Sequence, residues 1–418
     1  MPADNAAVRR STPVPLFALL EAPYGMQNAV ATLFVPMYLL RAAGVGIAQA
    51  SAISALCTVP ATFYFVYAPL TDFFMRRRNW LVLAILLTGL LSGAAVASTG
   101  GSHLRFVTAV LFSSTMASML VNASTGGLMS TLLTHTQKAH VGAWVQAGNL
   151  GANGLFFGLL LFLGPRCGRA TLAVITTLMI LLPGMAILWI REPARQKRTE
   201  SYRVTLVEIL RELRRTFLSL RNLPGILLLL SPVGSSAITT VLSGLAREYG
   251  VSEVQLGFAN GWGGALFTAC GALCVLLTPK RWNRMLTYAL AGIVYGAVSI
   301  GIAAGPLRPS TLIVGLLASN FVQGIAFAAY TGLILQTMGA VGRVQSSRFT
   351  ILNAVGNLPV VYMTALEGLV AGHFGARSVG VFDGGLNLLT VMVFFVWWAW
   401  MRSRKSEWLD VAEVVPSL

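Results

Sequence analysis

The stretch APLTDFFMRRRNW (68–80) ends one long apolar run and begins another, and its charges govern how the rest of the chain is read. A lone acid, Asp72, precedes Arg76, Arg77 and Arg78, and the chain then turns apolar again. Lys and Arg clusters between membrane-length apolar runs hold a loop on the cytoplasmic side. Outward from this loop, apolar runs recur at about 15–40, 48–72, 80–99, 106–133, 143–163, 171–190, 225–246, 256–278, 286–304, 311–336, 349–371 and 380–401. Each meets the roughly 20 residues needed to cross a hydrocarbon core about 30 Å thick. They are numbered spans 1 to 12.

Of the 30 Lys and Arg residues, 23 lie in the two termini and in the loops after even-numbered spans, against 7 in the loops after odd-numbered spans. This bias predicts that both termini face the cytoplasm, in a multi-pass protein of the cytoplasmic (inner) membrane. The net charge of +16 is thus a topology signal, and nucleic acid is not expected as a partner. Of all residues, 56% are hydrophobic and only 11% charged, with a mean hydropathy of +0.72. A soluble protein carries about 25% charged residues. The expected fold class is an all-α membrane protein: 12 transmembrane helices in two six-helix, pseudo-symmetric bundles. The first apolar run is too long for the core of a cleavable signal peptide, so none is expected.

The longest connection divides the chain into an N-terminal bundle (1–190), a cytoplasmic linker (191–224), a C-terminal bundle (225–401) and a cytoplasmic tail (402–418). Within the linker, Leu206, Leu210, Leu213, Phe217 and Leu220 recur at helical spacing, with charges on other faces. An amphipathic helix on the membrane surface is expected there. The two halves echo each other. Pro23–Gly25 (PYG) in span 1 parallels Pro232–Gly234 (PVG) in span 7, Leu70–Asp72 (LTD) parallels Leu277–Pro279 (LTP), and Gly148–Leu150 parallels Gly356–Leu358, GNL in both. The offsets of 209, 207 and 208 residues are near-constant and keep the spans in order. Halves related in this way form a parallel repeat.

The 68–80 stretch resembles the motif between spans 2 and 3 of the major facilitator superfamily, a Gly followed by Leu-x-Asp-Arg-x-Gly-Arg-Arg. Leu70, Asp72, Arg76 and Arg77 match it, while Ala68, Phe73 and Met75 replace the first Gly, the Arg and the second Gly. The resemblance implies alternating access by rocking of two six-helix halves, with Asp72 facing the start of span 11 as part of a cytoplasmic latch. EAPYGM (21–26) and TDFFMRRRNWLV (71–82) are also similar to the muropeptide permease and acetyl-CoA transporter branch. That branch carries acids in span 4, where this chain reads ASMLVNASTGG (117–127), with none. The branch's substrates are therefore not carried over, although its likeness tilts the expected direction toward uptake.

In this fold the cavity lies between the halves, lined chiefly by spans 1, 4, 7 and 10. Polar residues that would meet a solute there are Gln27, Asn28, Asn122, Gln146, Asn149, Asn153, Ser235, Ser236, Asn260, Asn320, Gln323, Asn353 and Asn357. Asn149 and Asn153 share a helical face, as do Asn353 and Asn357. Buried amides need partners, from a ligand or from another helix. No Lys or Arg is evident at cavity depth, which favours a small neutral or zwitterionic organic solute.

Glu21 lies about 9 Å into span 1 at roughly 1.5 Å per residue. An ionisable group at that depth is a functional candidate by default. It is expected to act as a proton-coupling or gating carboxyl, or else to pair with cytoplasmic arginines. Asp72, Arg76 and Arg77 are gating candidates, and Pro23 and Gly25 mark a bend, since Pro removes an intrahelical hydrogen bond. Glu367 and Asp383 fall near the outer ends of spans 11 and 12.

The expected partners are a small-molecule substrate, the lipid bilayer and protons. Four histidines without nearby acids argue against an enzyme, no P-loop argues for direct ATP drive, and no cofactor or metal is expected. The competing readings are an exporter of drugs or metabolites with the same fold and a membrane receptor or scaffold that transports nothing.

Overall fold

The computed structural model describes residues 13–42, 44–100, 103–133, 144–192, 202–218, 223–275, 283–338 and 345–403. Among them there is no strand. Nine of the described helical stretches are long and apolar enough to cross a membrane: Ile47–Thr71, Arg77–Ala97, Leu104–Met129, Trp144–Leu163, Arg169–Trp189, Arg284–Ala304, Pro309–Tyr330, Ile351–Phe374 and Ala376–Trp400. They are spans 2 to 6 and 9 to 12.

Spans 1, 7 and 8 complete the twelve-helix fold, and each is polar or interrupted. Span 1 runs through Leu16–Asn28, a π-helical turn at Ala29–Phe34 and Val35–Ala42, with Glu21, Gln27 and Asn28 diluting its apolar content. Span 7 stops after Leu223–Leu229, makes a 3-10 turn at Pro232–Gly234 and resumes at Ala237–Gly244. Ser236, at φ +55°, holds the left-handed conformation between the pieces. Span 8 passes from Glu253–Leu256 through a π segment, Gly257–Trp262, into Gly263–Cys274. The repeat thus relates unlike geometries: Pro23 sits inside an unbroken α-helix, whereas Pro232 opens a break. The GNL repeats are distorted in both halves, by a π turn at Ala147–Gly151 and by a helix break at Asn357. Leu277–Pro279 lies outside the described residues.

Lipid sets the periphery. Spans 3, 6, 9 and 12 keep large apolar side chains exposed, among them Leu90, Leu182, Val294 and Val396. Apolar residues around the whole helix, rather than one stripe, are what a membrane span requires. Spans 3 and 6 pack together in the first bundle, and spans 9 and 12 in the second.

Close crossings fix the inner helices. Gly25 of span 1 touches the Asn149 carbonyl of span 5, and Gly148 touches the Ala18 carbonyl, so each glycine admits the other helix's backbone. Small residues let helices in lipid approach this closely. The bundles meet along two seams. Span 5 meets span 8, where Gly158 lies against Gly261, and span 2 meets span 11, where Ser51 lies against Gly368. At the mouth where span 1 ends, Arg41 forms an ion pair with Glu253 at the start of span 8.

The linker contains the expected helix, Tyr202–Leu218. The Tyr202 hydroxyl donates to the Val66 carbonyl of span 2 at 2.6 Å, and its ring meets Phe73 edge-on with centroids 5.6 Å apart. Burial pushes this phenol above its ordinary range, so it remains a donor. Leu210 and Phe217 are exposed, and Leu220 lies outside the described residues.

Candidate functional site

Glu21 is 1% exposed, and the Asn122 side chain of span 4 donates to its Oε1 at 2.8 Å. The described partner is therefore an amide of the same bundle, not a cytoplasmic arginine. Tyr24, one turn on, lies within electrostatic reach of both Glu21 and Tyr64 of span 2. Asn153 of span 5 donates to the Gly25 carbonyl at 3.3 Å, just where Gly25 lets span 5 approach. One acid, two amides and the Pro23–Gly25 segment are thus gathered from spans 1, 4 and 5.

Other amides are engaged by neighbouring helices. Gln27 donates to Thr115 at 2.9 Å and accepts from Ser118 at 3.0 Å, which ties span 1 to span 4. Asn320 of span 10 donates to Asn260 of span 8 at 2.9 Å, and Asn260 donates to Ser243 of span 7 at 2.8 Å. Ser235 is buried and its hydroxyl accepts from the Ala237 amide. Two amides cross between the bundles: Asn353 of span 11 donates to the Tyr64 hydroxyl at 2.9 Å, and Asn357 donates to the Ala61 carbonyl at 3.2 Å. Among the described residues, half-buried Asn28, Asn149 and Gln323 have no side-chain hydrogen bond and the buried Ser236 hydroxyl has no partner, while Gln146 is exposed.

Tyrosines are what the sequence reading missed. Tyr330 of span 10 donates to Asn353 Oδ1 at 3.1 Å, its ring centroid is 6.4 Å from that of Tyr288, and it lies in electrostatic reach of Tyr64 and Tyr24. Tyr362 of span 11 donates at 2.7 Å to the Leu230 carbonyl freed by the break in span 7. Phenols from spans 1, 2, 9 and 10 therefore surround the junction of the two bundles. Their signal was aromatic residues with polar tips on cavity-lining spans, hidden because aromatics also read as ordinary core.

In the loop between spans 2 and 3, the Arg77 side chain donates to the Gly127 carbonyl of span 4 at 2.7 Å, while Arg76 is exposed. The Asp72 backbone ends a 3-10 turn, Ala68–Asp72, and its side chain lies outside the described residues. A second acid, Glu192 at the end of span 6, accepts the Arg77 and Arg78 backbone N–H groups at 3.2 and 2.9 Å. It caps the start of span 3, where free amides and the helix dipole favour a carboxylate. A cleft of about 420 Å³ beside it is lined by Arg76, Arg78, Asn79 and Glu192, and Glu21 is not among its lining residues.

A family profile described as Major Facilitator Superfamily matches residues 17–358. No curated protein matches the chain. Solved structures share the fold at low identity. A D-xylose–proton symporter is 11% identical with a TM-score of 0.70, over 91% of this chain and 96% of that one. The nucleoside transporter NupG is 14% identical with a TM-score of 0.71, over 92% and 99%. A POT family transporter in complex with 5-aminolevulinic acid is 11% identical with a TM-score of 0.69, over 92% and 95%. The chain belongs to the Major Facilitator Superfamily and is a multi-pass membrane transporter rather than an enzyme.

Proposed function

We propose that this protein is a proton-coupled secondary transporter that takes up a small polar, neutral or zwitterionic organic solute by alternating access. The observation that carries the reading is Glu21: a carboxyl in span 1, buried, with an amide rather than a cation as its described hydrogen-bond partner. A carboxyl in such surroundings responds to small changes in solvation, and rocking of the bundles changes its solvation. The solute meets Asn28, Asn149, Gln323, Ser236 and the Tyr24, Tyr64 and Tyr330 phenols, while Gln27, Asn260 and Asn320 fix the helices that present them.

The rocking units are residues 1–190 and 225–401, joined by the 191–224 linker, with both termini and the 402–418 tail on the cytoplasmic side of the inner membrane. Asp72, Arg76 and Arg77 work the cytoplasmic gate, and Pro23 and Gly25 let the continuous helix of span 1 flex as the gate moves. Support for solute class and coupling comes from proteins of like fold: a D-xylose–proton symporter, a nucleoside transporter and a POT family transporter in complex with 5-aminolevulinic acid. The test is solute-induced current and internal pH in proteoliposomes across muropeptides, short peptides, sugars, siderophores, coenzyme A esters and cationic drugs. A saturable, proton-linked signal with a polar solute is expected. A cationic drug as the sole active compound would overturn the solute class, and silence of folded protein across the panel would argue for a receptor or scaffold.

A further inference from the structure

Glu367 of span 11 and Asp383 of span 12 meet where spans 9, 11 and 12 pack, and both are 0% exposed. The two carboxyls lie within electrostatic reach of each other, and neither Glu367 oxygen has a described hydrogen-bond partner. Ser299 of span 9 donates its hydroxyl to Asp383 Oδ2, and Asn387, one turn along span 12, donates to Asp383 Oδ1 at 3.2 Å. Glu367 receives no N–H or hydroxyl from any described group. The Tyr295 phenol, 1% exposed, lies in electrostatic reach of both carboxyls and has no hydrogen-bond partner among the described residues.

Two neighbouring carboxyls out of water cannot both stay ionised, so the pair holds a proton. Asp383 takes two outside donors and Glu367 none, so the proton resides on Glu367. No described Lys, Arg or His offsets the pair. Arg377 on span 12 and His373 on span 11 are exposed at the outer ends, and Arg377 acts instead on Tyr249, just after span 7. Tyr362, further in on span 11, is committed to Leu230, and span 2 presents only the uncharged Ser51.

The pair also sits beside the seam between bundles. Gly368, next to Glu367, packs against Ser51 of span 2, and Gly372 packs against Ala48 one turn outward. Glu367 is seven residues from the helix end at Phe374, about 10 Å at roughly 1.5 Å per residue. Parting spans 2 and 11 would bring water to this part of span 11.

We propose that Glu367 and Asp383 form a proton-binding site separate from Glu21, which holds one proton while the outer seam is closed and releases it when span 11 parts from span 2. Release rests on the rocking motion proposed above, whereas holding the proton does not. Infrared spectroscopy of the full-length protein in liposomes tests it, in a Glu21→Gln background so that the other buried carboxyl is silent.

The expected result is a protonated-carboxyl carbonyl band at neutral pH that declines in alkaline buffer and is lost on adding Glu367→Gln. Asp383→Asn should keep the band, shift it toward that of a free carboxylic acid and move its decline to lower pH, because the neighbouring negative charge is gone. If Glu367→Gln folds poorly, the Asp383→Asn shift decides alone. A spectrum without the band, or a band unchanged by either substitution, overturns the site. A band constant at every pH overturns release, leaving a locked proton. None of these results depends on transport, so the Glu21 reading stands or falls separately.

Discussion

Replacing Asn122 with Leu, which has nearly the same shape, removes the amide that donates to Glu21 at 2.8 Å. Interhelical hydrogen bonds in membrane proteins average only about 0.6 kcal/mol in double-mutant cycles, because the unfolded chain in lipid also finds partners. Leaving a buried polar group unsatisfied costs more, about 1–3 kcal/mol. Glu21 is 1% exposed and has no other described donor, so the second figure governs. Asn122→Leu should therefore destabilise the protein by about 1–2 kcal/mol. In a Glu21→Met background nothing is orphaned, since replacing both partners by apolar groups of like shape is nearly neutral. The same Asn122→Leu step should then cost less than about 0.5 kcal/mol. Reversible unfolding of the four variants in mixed micelles gives the coupling energy directly. An equal cost of Asn122→Leu in both backgrounds would refute the pairing and, with it, the described environment of Glu21.

Other outcomes follow from the same geometry. Gly25→Ala forces a methyl onto the Asn149 carbonyl and should cost about 1–3 kcal/mol or more, whereas Gly151→Ala, with open space around it, should be near neutral in the same unfolding assay. Glu192→Ala removes the carboxylate that accepts two backbone amides at the start of span 3, for an expected loss of about 0.5–2 kcal/mol. Arg41→Gln breaks the ion pair that joins the bundles at the mouth where span 1 ends, so a cysteine placed at Ser51 should react faster with an impermeant thiol reagent. An unchanged rate would show that the pair does not hold the mouth closed.

The architecture was legible because lipid imposes long, apolar, evenly charged-flanked segments that announce themselves in any sequence. Spans 1, 7 and 8 show where that rule weakens. Their polar and glycine content, the mark of lining helices, lowers apolarity or breaks the helix, so they read as spans only within the twelve-run pattern. The repeat was visible in tripeptides, but PYG and PVG take different shapes because Pro23 lies within a continuous helix while Pro232 opens a turn.

Site chemistry was harder to read. An amide looks the same in sequence whether it awaits a solute or ties helices together, and only the geometry separates Gln27, held by Thr115 and Ser118, from the unengaged Gln323. Glu367 and Asp383 read as two separate acids near the outer membrane edge. Their closeness depends on the packing of spans 11 and 12, which no spacing along the chain encodes. Glu192 was hidden likewise, since its partners lie more than a hundred residues away at the start of span 3.

The central claim is that Glu21 couples a proton to solute movement. Once the proteoliposome panel identifies a substrate, two modes of its movement should be compared in wild type and Glu21→Gln: accumulation driven by a pH gradient, and exchange of labelled for unlabelled solute without one. Loss of gradient-driven accumulation with exchange retained is the predicted result, because the binding residues and the rocking motion survive while the proton step is gone. Full gradient-driven accumulation by Glu21→Gln would contradict the claim and make Glu21 a structural residue of span 1.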